Sequence, residues 1–397
     1  MLGLSVGHIS SDITIEYGGI ANGLPGLAQA QYELGIDVSI WSTGKSIDHL
    51  VRRGLLAPGI CTLFSTVGPR RWCYSPAMER AAAGAAGSAF DVIHQHSLWP
   101  LADRATGIWR KLHRGPTVVA PHAALNGWAL KRSAWKKAIA ARLYEGANLR
   151  SAACLHAVAE SEIHGIREYG LRNPIAVMPN GVSCTWMDSS GDGLRFREKY
   201  DLPGDKRLML FLSRVDPVKG LLLLLDGMAE MRGSLSDWIL VIAGPNGSGH
   251  EKEVRQRIAD LNLTRMVQFV GPQYHEAKRD ALAACEFLVL PSLSEGAPTV
   301  IPEALACGVP VMATHASPWP DLLRYRCGWW FERTLDNLKD ALADAASSSP
   351  DALREAGARG RALVREQYSW RVFALRSLNL YEWLLGRRDR PDFVVVD

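Results

Sequence analysis

A chain of 397 residues is longer than one ordinary hydrophobic core, so two domains are the expectation. Its 47% hydrophobic and 22% charged residues are those of a soluble globular protein, and a formal charge of +4 is too small an excess to argue for nucleic acid. No stretch reaches the roughly 18 apolar residues of a spanning helix.

The opening, MLGLSVGHISSD, has neither a basic leader nor a long apolar core, so no signal peptide is expected. Short apolar runs then alternate with longer segments of helical period, the pattern of parallel strands with crossover helices. Strands are predicted at LGLSVGHI, DVSIW, DVIHQ, TVVAP, ACLHAV and IAVMP, with helices from Gly19 to Leu34 and from Ser133 to Glu145. The stretch 179–193, PNGVSCTWMDSSGDG, breaks the pattern and reads as a linker. A second series follows at RLMLFLS, WILVIAG, VQFVG, EFLVLPS, VPVMAT and CGWWF. The segment REQYSWRVFALRSLNLYEWLLG predicts a last helix crossing back to the first domain, and the tail RRDRPDFVVVD reads as loosely held. The expected fold is therefore α/β, with two Rossmann-like parallel-sheet domains. The first spans 1–182 with 371–397 and the second 183–370. Ligands would enter at the carboxyl ends of the strands. Seven cysteines, odd in number and without a C-x-x-C pair, suit buried thiols in a reducing cytosol.

Two stretches carry chemistry. In EGAPTVIPEALACGVPVMAT, Gly308 stops a helix expected from Thr299 to Cys307, with Pro302 in its tolerant first turn. Glu295 then stands in the loop and Glu303 inside the helix. Free amides at a helix start attract phosphate, and carboxylates hold sugar hydroxyls. The plain structural reading is a strand–helix–strand unit in which Glu303 merely favours the helix dipole. In SRVDPVKG, Arg214 at a strand end and Lys219 at a helix start make a compact positive site suited to a diphosphate leaving group. Two solvated surface charges are the alternative. His94 and His96 in DVIHQHSLW lack a carboxylate pair nearby and make a weak metal site; none is expected. The segment 128–150, with Lys131, Arg132, Lys136, Lys137 and Arg142 among Trp128, Trp135 and Leu143, is a basic amphipathic helix. It can dock on anionic lipid or present an ordinary solvated face.

SRVDPVKG, VIAGPNG, VMPNGV, YGGIANGLPGLAQAQYELGIDVSIWSTG and the run from VQFVG to VPVMAT together resemble glycosyltransferase family 4, over nearly the whole chain. The resemblance implies the GT-B fold and a retaining, nucleotide-sugar-dependent hexosyltransferase without metal or other cofactor, UDP-sugar being favoured over GDP-sugar. It implies that Arg214 and Lys219 grip the donor diphosphate, Glu295 the sugar hydroxyls and Glu303 the ribose. Ala297, Pro298, Thr299 and Val300 would offer backbone amides, and Gly18 and Gly19 would face the diphosphate. Gly244, Phe269 and Val270 would line the base pocket. His122 would lie against the transferred sugar; the family pattern has glycine next, where this chain has Ala123. His96 and Asn126 fall on the acceptor side. The partners implied are a donor and a glycan or lipid-linked acceptor in surface polysaccharide assembly, at the cytoplasmic face of the membrane through 128–150, with no nucleic acid. A phosphorylase, an epimerase or hydrolase of the same fold, and a non-catalytic nucleotide-sugar binder are the alternatives.

Overall fold

The computed structural model describes residues 3–13, 19–52, 54–131, 133–183, 185–188, 191–247, 249–296 and 298–396. Gly18, Arg132 and Ala297, named above, lie outside these, as does the side chain of Trp128. The chain divides into two compact units, Met1–Gly181 with Ser369–Asp397, and Val182–Tyr368.

The first unit contains β1 (Ser5–Ile9), β2 (Asp37–Ser42), β3 (Cys61–Leu63), β4 (Val92–Gln95), β5 (Thr117–Val119), β6 (Cys154–Ala157) and β7 (Ile175–Val177). The second contains β8 (Arg207–Leu212), β9 (Trp238–Ala243), β10 (Val267–Phe269), β11 (Phe287–Leu290), β12 (Val311–Thr314) and β13 (Gly328–Phe331), and β14 (Val394–Val395) returns to the first. The first sheet runs β14-β7-β6-β5-β4-β1-β2-β3 and the second β10-β9-β8-β11-β12-β13. Every pairing is parallel except that of β14 with β7. Strands such as β9 (WILVIA) and β11 (FLVL) are buried along their whole length, because helices cover both faces of a parallel sheet. Strand order changes direction between β1 and β4 in one sheet and between β8 and β11 in the other. At such a switch point the crevice beyond the strand ends takes a ligand.

In the first unit the helix Gly19–Glu33 packs on the last helix, Trp370–Leu384, through Leu24, Leu27, Phe373, Leu380 and Tyr381. In the second, the helix Val300–Ala306 lies within the predicted Thr299–Cys307, and Gly308 stops it with φ 77°.

Three expectations are corrected. The tail is not loose: Val394 pairs with Ala176 and is buried, and the Val177 amide donates to the Phe393 carbonyl at 2.9 Å. The strand β3, at the far edge, was not predicted. The basic segment is not one helix. It divides into Gly127–Lys131, Ala134–Ala140, a π-turn over Ala141–Glu145 and Gly146–Arg150. The wide turn draws Glu145 inward, where its carboxylate accepts the Trp99 amide (3.1 Å) and the Asn148 side-chain amide (3.0 Å).

Candidate active site

At the switch point of the second sheet, the loops after β8 and β11 are locked together. The Asp216 carboxylate caps the turn Pro217–Lys219 by accepting the Val218 amide, and the Leu293 amide donates to the Val218 carbonyl at 2.7 Å. Gly220, with φ 78°, has no side chain because a Cβ there would stand 2.0 Å from the Pro291 carbonyl oxygen. This close approach delivers Lys219 to Glu295: its ammonium lies 2.6 and 2.8 Å from the two carboxylate oxygens. The Ser292 hydroxyl donates to the same carboxylate at 2.6 Å, and the Thr314 hydroxyl, at the end of β12, fixes the Ser292 carbonyl at 2.6 Å. The pair is largely sheltered, with 13% of the Lys219 side chain and 7% of Glu295 exposed.

Arg214 differs. Its side chain is 59% exposed, and among the described residues only a 3.8 Å contact with Asp216 restrains it, so its charge stays available at the crevice. The compact two-cation site expected from SRVDPVKG is thus half neutralised by Glu295. Glu303 is paired with Lys278, whose ammonium also lies 5.3 Å from the centre of the Trp186 ring. Burial pushes the Glu303 carboxyl up, against the pull of Lys278. Arg255 covers the Phe269 ring at 3.9 Å, while Val270 sits in the core and its carbonyl accepts from Gln273 at 2.8 Å. Gly244 donates its amide to the Gly271 carbonyl at 3.0 Å.

At the switch point of the first sheet lies a cluster of buried imidazoles. His8 on β1 and His94 on β4 are register partners. His96 follows β4, His122 follows β5 and His156 is on β6. His8 Nδ1 is 2.9 Å from His96 Nε2 and its Nε2 is 2.7 Å from Gln31 Oε1. His94 Nδ1 is 2.7 Å from the Tyr381 hydroxyl and its Nε2 3.3 Å from His156 Nδ1, whose own Nε2 meets the Met178 carbonyl at 2.8 Å. Burial lowers His8 and His156 to about 4 and His122 to about 3, and takes His94 and His96 well below the ordinary value. These rings are neutral at physiological pH. Nitrogens of His8, His94 and His96 come within 4.8 Å of one another. Both nitrogens of His8 and of His94 are already engaged, so a metal would have to break that network.

His122 and Ala123 hold consecutive left-handed conformations, φ 49° and 64°. The glycine expected after the histidine is replaced by alanine without loss of that turn, at a cost of about 1 kcal/mol. His122 Nε2 is sealed from water and has no hydrogen-bond partner among the described residues, and its ring stacks 5.8 Å from His96. Asn126 accepts the Leu130 amide through its carbonyl at the start of Gly127–Lys131. Neighbouring Glu162 is buried with neither carboxylate oxygen fully hydrogen-bonded, and burial raises it to about 7.

Of the residues named from the sequence, the fold therefore gathers Arg214, Lys219, Glu295 and Glu303 around one switch point, and His96 and His122 at the other. Lys278, Ser292, Thr314, His8, Gln31, His156 and Tyr381 were missed. Only Ser292 carried a local signal, its position three residues before Glu295 at a strand end.

The profile described as glycosyl transferases group 1 matches residues 194–362, and that of the glycosyl transferase 4-like domain matches residues 18–181. The D-inositol 3-phosphate glycosyltransferase of Mycolicibacterium smegmatis is 29% identical over 44% of this chain and 39% of its own length. That of Streptomyces bingchenggensis is 27% identical over 82% of this chain and 75% of its own. Among solved structures, Anabaena HepE in complex with UDP and glucose superposes with a TM-score of 0.72 at 18% identity, covering 95% of this chain and 99% of that one. That likeness establishes the GT-B fold.

Proposed function

We propose, because the chain belongs to glycosyltransferase family 4, that it transfers a hexose from a nucleoside diphosphate sugar to a hydroxyl of a glycan or lipid-linked acceptor, with retention and without a metal. The observation that carries this reading is the Lys219–Glu295 pair at the second switch point, beside the open guanidinium of Arg214. An entering diphosphate competes for Lys219 and, with Arg214, receives two cations. Glu295 is then released toward sugar hydroxyls while Ser292 keeps it oriented. Glu303, on Lys278, serves the ribose. UDP is the favoured nucleotide, a choice supported by the UDP held in HepE.

The acceptor oxygen bonds to the anomeric carbon on the face from which the phosphate leaves. As the carbon–oxygen bond to phosphate breaks, the departing phosphate oxygen takes the acceptor proton and its charge grows against Arg214 and Lys219. No protein nucleophile is required. Both candidate carboxylates are tied to lysines, which disfavours the acid and base roles an epimerase would need.

Thermal-shift screening of the full chain against UDP- and GDP-sugars tests the donor. A UDP-sugar should raise Tm and be consumed after chelator treatment, and Lys219→Ala should abolish both effects. Indifference to every nucleotide sugar, or a strict divalent-metal requirement, would overturn the proposal. Among the described residues no helix is long and apolar enough to cross a membrane. Peripheral contact at the cytoplasmic face belongs to the proposal and rests on the exposed Trp135, Ile139 and Leu143.

A further inference from the structure

The last helix does more than cover the first sheet. The Ser377 hydroxyl donates to the Ala374 carbonyl at 2.8 Å, so its proton is committed and its oxygen accepts from Gln31 Nε2 at 2.8 Å. That orients the Gln31 amide, with Oε1 toward His8. A carbonyl oxygen only accepts, so His8 carries its proton on Nε2, 2.7 Å away, and its Nδ1 is bare. The proton between His8 and His96 then belongs to His96 Nε2, at 2.9 Å. A neutral imidazole has one N–H, which leaves a lone pair on His96 Nδ1. Burial keeps both rings neutral.

The same helix governs a second chain. The Met178 carbonyl accepts from His156 Nε2, His156 Nδ1 accepts from His94 Nε2, and His94 Nδ1 accepts the Tyr381 hydroxyl. The Met178 carbonyl fixes every donor of the second chain, and in the first a turned-over Gln31 amide would leave an N–H on His96 Nδ1 with no acceptor among the described residues. His96 Nδ1 has no hydrogen-bond partner among the described residues. With His122, Asn180 and Gly23, His96 lines a niche of about 10 Å³, room for one water-sized group. A sealed orphan lone pair is more tolerable than a sealed orphan N–H, so His122 leaves Nε2 bare and carries its proton on Nδ1.

We propose that the last helix, acting through Ser377, Gln31 and His8, fixes His96 as a hydrogen-bond acceptor at Nδ1, and that His96 and His122 together hold one sugar hydroxyl as acceptor and donor. The hydroxyl contact rests on the transfer reading above; the tautomer does not. Ser377, Gln31 and His8 are positioning residues, since they act through His96.

Imidazole ¹⁵N spectra of the full-length protein, labelled at histidine, read the tautomers without substrate. His96 should be protonated on Nε2 and bare on Nδ1, and Ser377→Ala, which frees Gln31 to turn over, should give a mixture. A wild-type His96 protonated on Nδ1 overturns the relay whatever the activity. The second measurement uses UDP-glucose and its mono-deoxy analogues. One analogue should lose about tenfold in kcat/KM, the worth of one hydrogen bond, and His96→Phe should erase that difference. If every deoxy penalty survives in His96→Phe, the hydroxyl contact is wrong. If no nucleotide sugar is consumed while the spectrum shows a bare Nδ1, the transfer reading and the hydroxyl contact fail together and the relay stands.

Discussion

Lys219 and Glu295 are each other's main partner, so removing one leaves a sheltered charge without its counterion. The loss of one member of a buried pair costs about 3 kcal/mol or more, whereas replacing both by neutral groups is often near neutral. Lys219→Met should therefore destabilise the second unit by about 3 kcal/mol, and Lys219→Met with Glu295→Gln should recover most of it, because Ser292 can still bond the amide. Activity should stay absent in both. Urea denaturation beside a turnover assay separates the two effects; an active double variant would sink the site assignment. Glu162 couples stability to pH. The carboxyl is raised from its ordinary 4.5 to about 7 by burial. Its stability contribution is full below 4.5, falls as pH rises from 4.5 to 7, and stays lost above. Glu162→Gln should stabilise the protein at pH 8 by up to about 3 kcal/mol and by much less at pH 5. Equal effects at the two pH values would rule out an ionised buried carboxylate.

At the scale of elements, the strands of both sheet interiors were legible because full burial on two faces demands continuous apolar runs, as in WILVIA and FLVL. Strand ends then located Arg214, Lys219, Glu295 and His122. The two edges of the first sheet were not legible, unlike β10 and β13 at the edges of the second: β3 is three partly exposed residues and β14 only two. Pairings across the fold were equally silent. Nothing near Glu303 points to Lys278, nor does anything near Gln31 point to Ser377, 346 residues away. The basic segment shows both outcomes. Its helical period is real, since Trp135, Ile139 and Leu143 share a face and are 67%, 51% and 74% exposed. The π-turn was hidden because it depends on Glu145 reaching the Trp99 amide. Three exposed apolar side chains on one stripe beside Lys136 suit an anionic bilayer surface. Sedimentation with vesicles containing phosphatidylglycerol should capture the wild type, and Trp135→Glu with Leu143→Glu should lower the bound fraction about tenfold or more, each change removing ~1.5–3 kcal/mol of apolar burial. Equal capture of both proteins would exclude this face.

For the whole molecule, the two units differ most in their buried titratable groups. Five imidazoles in the first unit, His8, His94, His96, His122 and His156, are held below their ordinary 6.5. A depressed histidine contributes stability above 6.5 that is lost as pH falls toward its folded value. Three buried carboxyls in the same unit, Asp103, Glu145 and Glu162, are raised and gain stability over the same descent. The histidines outnumber the carboxyls, so acid below 6.5 works against the folded state of this unit. The second unit has no comparable group of histidines among its described residues, and its raised Glu303 carboxyl favours the folded state as pH falls. Hydrogen exchange followed by mass spectrometry at pH 7 and pH 5 should show peptides of 3–181 and 369–396 losing protection while those of 191–368 keep theirs. Uniform loss across both units, or a first unit still protected at pH 5, would mean that the five rings are not buried neutral together. The same acid step would dissolve the relay that orients His96, so turnover should fall before the second unit unfolds, and UDP should still raise the melting temperature of that unit at pH 5.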